Sequence, residues 1–377
     1  MLYFNPTELG VCGVTMATAP VFLLLLFLLL SGFSPADQSR LRTFHLIEKR
    51  MNQSEARAAC RANYTDLVTV YSDEDNTDLT NLTGSSGAWI GLNRNQSSDK
   101  WSNGDDVTFS NLTGVCGSGS CCAAMKADGS WESLQCTENR SFMCYKRDTD
   151  LTLSYHLISE NMSWHEAQSY CRKNFTDLVS IRDQNQNEAV KVEGLKTSTS
   201  FWIGLLRDDW EWSDGGRSAY RNWATGYPLP SADCVVLRKG KWSSVPCSNT
   251  LPAALCSNTL IHVSAEQMDW ASALDYCQRE NRRAILRIES DLDQKEVGFE
   301  LRRGRVSGPL WVGLGQSRLS ELLKSSSRLS LGPWTKRSER QAGPAPLSRA
   351  GTDAVEKTFR TKTDVSALRA VCELKQP

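Results

Sequence analysis

One helix-forming segment occurs three times in the 377-residue chain. Each copy runs from a methionine to a cysteine over the same nine-residue step: Met51–Cys60, Met162–Cys171 and Met268–Cys277. A residue that favours a helix N-cap follows each methionine, and an alanine stands four residues before each cysteine. The N-cap candidates are Asn52, Ser163 and Asp269. Helical spacing puts the alanine and the sulfur on one face, so the chain must build the same kind of unit three times.

The elements around each helix repeat as well. An apolar strand follows each helix, and a Trp-Ile/Val-Gly-Leu strand comes next, beginning at Trp89, Trp202 and Trp311, which we expect in the core. The copies close at Cys144, Cys256 and Cys372, and the helix cysteines are spaced by 111 and 106 residues. We therefore predict three domains at 42–147, 154–257 and 260–375. The third is degenerate, because 316–350 is rich in Ser, Arg, Gly and Pro.

Cysteine content and an apolar N-terminal run indicate export. The chain has 13 cysteines and no Cys-x-x-Cys motif, which favours disulfides over a reduced or metal-binding protein. The apolar run 21–30 predicts a signal peptide over 1–36; the alternative is a signal anchor, which would tether the chain to a membrane. We expect a secreted, extracellular protein. Basic and acidic residues are equal in number, at 43 each, so the chain has no net positive charge that would attract nucleic acid.

The helix ending in cysteine, the Trp-Ile-Gly-Leu strand and the late Cys…Trp…Cys…Cys run resemble the C-type lectin-like domain. In series, the copies resemble those of fish relatives of the macrophage mannose receptor and phospholipase A2 receptor group. The resemblance covers 44–257 well and 261–375 less specifically. It implies an α+β fold with a small antiparallel sheet, two helices and a long loop region that carries the ligand site.

The resemblance also implies a disulfide pattern, in which the helix cysteine pairs with the closing one and the two inner cysteines pair together. The implied bridges are Cys60–Cys144, Cys122–Cys136, Cys171–Cys256, Cys234–Cys247 and Cys277–Cys372. Cys122 is preferred to Cys121 because Cys122-Ala-Ala-Met matches Cys234-Val-Val-Leu. Cys116 and Cys121 then remain to close a small extra loop.

Sugar-binding members of the family hold calcium through a Glu-Pro-Asn or Gln-Pro-Asp triplet and a later Trp-Asn-Asp. Calcium requires six to eight hard oxygen ligands. The second copy reads Tyr227-Pro228-Leu229 and Trp242-Ser243-Ser244 at these places, and the other two copies also lack the pattern. We expect no calcium and no other cofactor. Asp105, Asp106 and Asp214 are the remaining candidates for holding an ion, and we prefer to interpret them as surface acids.

A mixed aromatic and basic set in the loop region of the second copy is the candidate ligand surface. Its members are Trp210, Arg221, Trp223, Tyr227, Lys241 and Trp242. The alternative is that these side chains only support the loop. No sequence motif for nucleophilic, zinc-hydrolase or nucleotide chemistry occurs, so we do not expect an enzyme.

Eight Asn-x-Ser/Thr sites, all in the first two copies, predict N-glycans at solvent-facing positions. They are Asn52, Asn63, Asn81, Asn95, Asn111, Asn139, Asn161 and Asn174. Six of the sites fall in the first copy, and their density suggests that much of its surface is shielded rather than binding. The expected function is recognition of an extracellular glycan or protein without the usual calcium–sugar motifs. The alternatives are a carbohydrate-binding lectin with an atypical site and a non-binding scaffold or decoy.

Overall fold

The computed structural model describes residues 39–114, 119–147, 152–306, 308, 310–314, 345–348, 358–359 and 367–375. The predicted leader 1–36, Cys116 and most of 316–350 lie outside the described residues.

The first repeat contains two helices and seven strands. They are β1 Arg42–Ile47, α1 Gln53–Asn63, β2 Asp66–Leu67, α2 Asp73–Thr83, β3 Ala88–Trp101, β4 Leu112–Thr113, β5 Cys121–Met125, β6 Trp131–Gln135 and β7 Arg140–Arg147. The second repeat follows the same order. Its elements are β8 Leu153–Met162, α3 Trp164–Asn174, β9 Asp177–Leu178, α4 Gln184–Gly194, β10 Phe201–Trp212, β11 Cys234–Arg238, β12 Lys241–Val245 and β13 Ala253–Thr259.

The third repeat has the same first half. Its elements are β14 Ile261–Met268, α5 Trp270–Tyr276, β15 Arg282–Ile285, β16 Arg287–Ile288, α6 Asp291–Arg303, β17 Leu310–Leu314, β18 Ala345–Ser348, β19 Thr358–Phe359 and β20 Leu368–Leu374. This repeat folds on itself, since β14 pairs antiparallel with β20.

The predicted N-caps are confirmed. The Asn52 side chain accepts a hydrogen bond from the Glu55 backbone N–H, and the Glu55 carboxylate accepts one from the Asn52 N–H. Ser163 and Asp269 are likewise N-caps. Such contacts satisfy backbone donors that have no partner within the helix, which fixes where each helix begins.

The tryptophans of the Trp-Ile/Val-Gly-Leu strands are buried, as predicted, and each is tied to the start of its own repeat's helix. The indole N–H of Trp89 donates to the Met51 carbonyl at 2.9 Å. Trp202 donates to Met162 at 3.0 Å. Trp311 repeats the contact in the third copy. The first half of every repeat is therefore assembled from its own residues.

The second halves of the first two repeats are exchanged. Strand β1 of the first repeat pairs with β13 of the second, and β7 of the first pairs with β8 of the second. Two hybrid modules result. Hybrid module 1 combines 42–92 with 212–259, and hybrid module 2 combines 101–147 with 153–205. The stretches 42–147 and 154–257 are units of sequence, whereas the hybrid modules are units of packing.

Two long strands carry the chain from one hybrid module to the other. β3 has 14 residues and β10 has 12. At about 3.3 Å per residue, β3 spans roughly 46 Å, which exceeds the usual strand length. The two strands pair antiparallel from Leu205↔Trp101 to Trp212↔Leu92, with a register shift between Asp208 and Trp210. They join both modules into one 13-stranded sheet.

The exchange changes two of the disulfides implied by the family pattern. Cys60 is bonded to Cys256, and Cys144 to Cys171, so the expected Cys60–Cys144 and Cys171–Cys256 bridges are wrong. The reason is that each closing strand lies against the other repeat's helix. The remaining expected bridges within described residues are confirmed: Cys122–Cys136, Cys234–Cys247 and Cys277–Cys372. Cys121 is disulfide-bonded, and its pairing with Cys116 stays a prediction.

The third module is docked on hybrid module 1. Leu41, just before β1, is fully buried in the third module's hydrophobic cluster. The ring of Phe299 on α6 stacks on Tyr71 with centroids 3.9 Å apart. Arg42 bonds Asp75 of its own repeat and Glu296 of the third. The three repeats therefore share interfaces.

Candidate ligand-binding surface

The loop between β10 and β11, residues 213–233, lies beside β12 in hybrid module 1. Its first part is held inward. The Ser218 carbonyl accepts hydrogen bonds from the Trp212 indole N–H at 3.0 Å and from the Arg221 guanidinium at 2.8 Å. The second part runs along β12: the Asn222 Oδ1 accepts from Lys241 Nζ at 2.6 Å, and the Ser244 Oγ accepts from the Leu229 N–H at 2.7 Å.

Three of the six side chains predicted for the ligand surface are internal. Trp210 and Trp242 are fully buried and Arg221 is 5% exposed, so none of them can meet a ligand. Their partners explain the burial. Arg221 bonds the Asp208 carboxylate at 2.8 Å. Trp242 donates to the Asn76 Oδ1 of the first repeat at 2.9 Å. These residues support the loop, which is the alternative interpretation given above.

The other three predicted side chains reach the surface. Trp223 and Tyr227 are half-buried, and Lys241 is exposed. Trp223 packs between the two internal indoles, with ring centroids 5.0 Å from Trp210 and 5.9 Å from Trp242. We call the exposed part of residues 222–233, together with Lys241 and Ser243, the loop surface.

Leu229 is a feature of the loop surface that the sequence alone did not single out. It is 42% exposed, and the neighbouring Pro230 is exposed as well. Four exposed large hydrophobic side chains are found within the described part of the chain: Leu82, Val192, Leu195 and Leu229. Leu229 alone among them lies in this loop. The surface thus has an apolar end at Leu229 and a basic end at Lys241.

The stretch that we matched to the family's calcium triplet by sequence, Tyr227-Pro228-Leu229, lies at the apolar end. The Tyr227–Pro228 peptide is cis. The side chains here offer one phenol and the hydroxyls of Ser243 and Ser244, and the Ser244 hydroxyl already accepts the Leu229 N–H. Calcium sites usually carry several carboxylates. Within the described residues, no three His, Cys, Asp or Glu side chains are grouped so that they could hold a metal ion.

The acids considered as other cation ligands have protein partners. The Asp105 carboxylate bonds Arg182 at 2.8 Å and lies 3.6 Å from Arg302. Asp106 pairs with Arg217. Asp214 accepts from Thr69 Oγ1 at 2.6 Å and from the Gly216 N–H. Burial raises the pKa of Asp214 although these hydrogen bonds oppose the shift. Asp105 and Asp214 are not exposed, so the interpretation as surface acids holds only for Asp106.

A buried ionic cluster joins β3, β10 and the loop between β10 and β11. Asp208 is bonded to Lys100 of the first repeat and to Arg221 of the second. Burial alone would raise the pKa of Asp208, but Arg221 and Lys100 hold it below its usual value. Burial lowers the pKa of Lys100, with Asp208 opposing. Burial, and then Arg221, lowers the pKa of His165 to about 4. The cluster therefore ties the first repeat to the second beside the paired strands β3 and β10.

The exchange redistributes the glycosylation sites. Four sites precede residue 101, where hybrid module 2 begins: Asn52, Asn63, Asn81 and Asn95. The other four lie in hybrid module 2: Asn111, Asn139, Asn161 and Asn174. Six asparagines are exposed, and Asn52 and Asn111 are half-buried. The sites are thus spread over two modules, and none lies within loop 213–233.

The family follows from comparison with known proteins. The Lectin C-type domain model matches residues 49–146 and 160–258, which is more than half of the chain. The chain belongs to the C-type lectin domain family. Within the described residues, no helix is long and apolar enough to cross a bilayer.

Three relatives confirm the resemblance to the macrophage mannose receptor and phospholipase A2 receptor group. Lymphocyte antigen 75 of Homo sapiens is 29% identical over 249 residues, covering 54% of this chain and 14% of that protein. Secretory phospholipase A2 receptor of Bos taurus is 27% identical over 250 residues, covering 54% and 17%. C-type mannose receptor 2 of Homo sapiens is 25% identical over 249 residues, covering 55% and 17%. The chain spans less than a fifth of the length of each.

Proposed function

We propose that the chain recognises an extracellular protein ligand through the loop surface of hybrid module 1, and that calcium is not required. The observation that carries the proposal is the replacement of the triplet. Where a sugar-binding member would present carboxylate and amide oxygens, this loop presents Tyr227, Pro228 and the 42%-exposed Leu229. Apolar and aromatic side chains with a polar rim are typical of protein–protein contacts.

The comparisons support the general class of function. The related proteins are named as receptors or as a lymphocyte antigen, and C-type lectin-like domains in receptors are suited to ligand recognition outside the cell. Recognition outside the cell also agrees with the five disulfides described here.

A calcium-independent glycan is a second candidate, favoured by the basic end of the loop surface. Lys241 and Asn222 are joined by a hydrogen bond beside the half-buried Trp223. An ammonium, an amide and an aromatic ring are groups that could bind an anionic sugar.

The test is a binding screen against two panels, one of secreted and cell-surface proteins and one of glycans, each with and without a chelator. The whole mature chain is displayed as a multimer, because weak single contacts gain from avidity. Leu229→Ala and Tyr227→Ala are compared with Leu195→Ala, an exposed leucine that follows α4 in hybrid module 2.

We expect protein hits that survive chelation, weaken about tenfold or more in Leu229→Ala and persist in Leu195→Ala, since a central apolar anchor contributes about 2 kcal/mol. Hits confined to anionic glycans, and sensitive to Lys241→Ala, would support the second candidate. Binding abolished by the chelator contradicts the calcium-free mode. Binding unaffected by every loop substitution contradicts the loop surface and indicates that another surface binds the ligand. A lack of hits in both panels would favour a non-binding scaffold or decoy.

A further inference from the structure

We propose that Arg94, a residue of the first repeat, is the positioning residue for the binding loop of the second repeat. The inference rests on the proposed function and deepens it. Arg94 lies on β3 directly opposite Trp210 of β10, just past the register shift in the antiparallel pairing of the two strands. From there its side chain extends under residues 229–233.

The guanidinium bonds the loop at three places. Its Nη2 donates to the Leu229 carbonyl at 2.9 Å and to the Ala232 carbonyl at 3.3 Å. Its Nε donates to the Asp233 carboxylate at 3.0 Å. The Arg94 backbone N–H also donates to the Asp233 carbonyl at 2.8 Å. One residue thus fixes both ends of the segment that presents Leu229.

The guanidinium is itself held in place. Its carbon lies 4.6 Å from the centre of the Trp210 ring, and its Nη1 bonds Asp209. The side chain is 23% exposed. Stacking on an aromatic face and a rigid fork of donors suit arginine, and lysine offers neither. Two carboxylates and two carbonyls therefore converge on one oriented cation.

The rest of the loop is tied by contacts within the second repeat. The Tyr227 N–H donates to Ala224 at 3.0 Å, and the Ala232 N–H reaches Leu229 only at 3.4 Å. The Leu229 N–H donates to Ser244. These contacts come from the loop itself and from β12, both of the second repeat, whereas Arg94 ties residues 229–233 to β3 of the first repeat. The loop surface of the second repeat therefore depends on a side chain that the second repeat does not contain.

The test compares Arg94→Ala and Arg94→Lys in the full mature chain with Arg207→Ala. Arg207 is a matched control: it makes a cross-strand pair with Asp99 at 3.0 Å on the same two strands and lies away from the loop carbonyls. Non-reducing peptide mapping and thermal unfolding establish that each variant is folded with the parent disulfides. Amide hydrogen exchange over residues 225–233 then reports the loop without any ligand.

We expect exchange over 225–233 to accelerate at least about tenfold in Arg94→Ala, because hydrogen bonds to a charged donor are lost. Amide exchange over 225–233 should be nearly as fast in Arg94→Lys, and in Arg207→Ala it should equal that of the parent. Unchanged exchange in a folded Arg94→Ala overturns the proposal. The same variants are applied to the protein panel, where we expect binding to fall about tenfold in both Arg94 variants. A faster loop with unchanged panel binding would instead overturn the loop surface as the binding site.

Discussion

Cys60 of the first repeat is bonded to Cys256 of the second, across 196 residues of sequence. The bond joins the helix of one repeat to the closing strand of the other. Together with Cys144–Cys171, it makes the two repeats covalently inseparable.

The exchange predicts how a cut chain behaves. A protease site placed between Arg147 and Thr152 divides the protein at the boundary of the repeats. Both Cys60–Cys256 and Cys144–Cys171 then connect the two fragments. We expect one band of full mass on a non-reducing gel after cleavage, and two bands after reduction. Two bands without reductant, with Cys60 linked to Cys144 in the peptide map, would show that each repeat closes on itself.

The buried Asp208 is predicted to be a major determinant of stability. Asp208→Ala leaves Lys100 and Arg221 without their shared counter-ion in the core, and we expect a loss of about 3–5 kcal/mol in the free energy of unfolding. The control is Asp275→Ala, which removes the exposed pair with Arg279 and should cost about 0–1 kcal/mol. Denaturant unfolding with disulfides intact measures both. Equal losses in the two variants would argue against a structural role for the cluster.

Two residues predict opposing pH dependences. Burial raises the pKa of Glu296 from 4.5 to about 7, although Arg42 opposes the shift. The folded protein binds the Glu296 proton more tightly than the unfolded chain does. The contribution of Glu296 to the free energy of unfolding is therefore complete below pH 4.5 and falls by about 2–3 kcal/mol as the pH rises to 7. Burial and Arg221 lower the pKa of His165 from 6.5 to about 4. This destabilises the fold as the pH drops from 6.5 to 4.

The two contributions are separated by unfolding Glu296→Gln, His165→Gln and the parent at a series of pH values. Relative to the parent, Glu296→Gln should gain stability steadily between pH 4.5 and 7. His165→Gln should gain most at pH 4 and least at pH 6.5. A pH-independent difference for either variant would mean that the corresponding group does not titrate as its burial implies.

Among the eight glycosylation sites, Asn111 should have the lowest occupancy. Its Nδ2 donates to the Gly129 carbonyl at 2.8 Å, and the hydroxyl of its sequon threonine, Thr113, donates to the Trp131 carbonyl at 2.9 Å. A glycan on Nδ2 competes with this packing as the module folds. Asn139, exposed in the same module, is the internal control. Glycopeptide mass spectrometry measures both, and higher occupancy at Asn111 than at Asn139 would contradict the prediction.

Several features could be predicted because their causes are local. An N-cap depends on residues three positions away, and Asn52 and Asp269 cap their helices as the sequence indicates. The Cys122–Cys136 and Cys234–Cys247 bridges, which the family resemblance implied, join cysteines only 14 and 13 residues apart within one repeat, so the exchange leaves them unchanged.

The ligand residues were harder to predict because their burial depends on distant partners. The indole N–H of Trp242 donates to Asn76 of the first repeat. Arg221 shares the counter-ion Asp208 with Lys100, which is also a first-repeat residue. The role of Arg94 could not be predicted for the same reason, because nothing near it in sequence links it to residues 229–233. No periodicity or motif reports such contacts.

The sequence by itself determined the repeating unit, its helix starts, its buried tryptophans and the family to which it belongs. Only the tertiary structure decided which half of one repeat packs against which half of the other. Repeats that close on themselves and repeats that exchange halves would bury similar faces and would both place a closing cysteine beside each helix cysteine. Local sequence patterns therefore cannot distinguish the two arrangements. The choice lies in the pairing of β3 with β10 across both modules and in the charges of Lys100, Asp208 and Arg221 that are buried beside it.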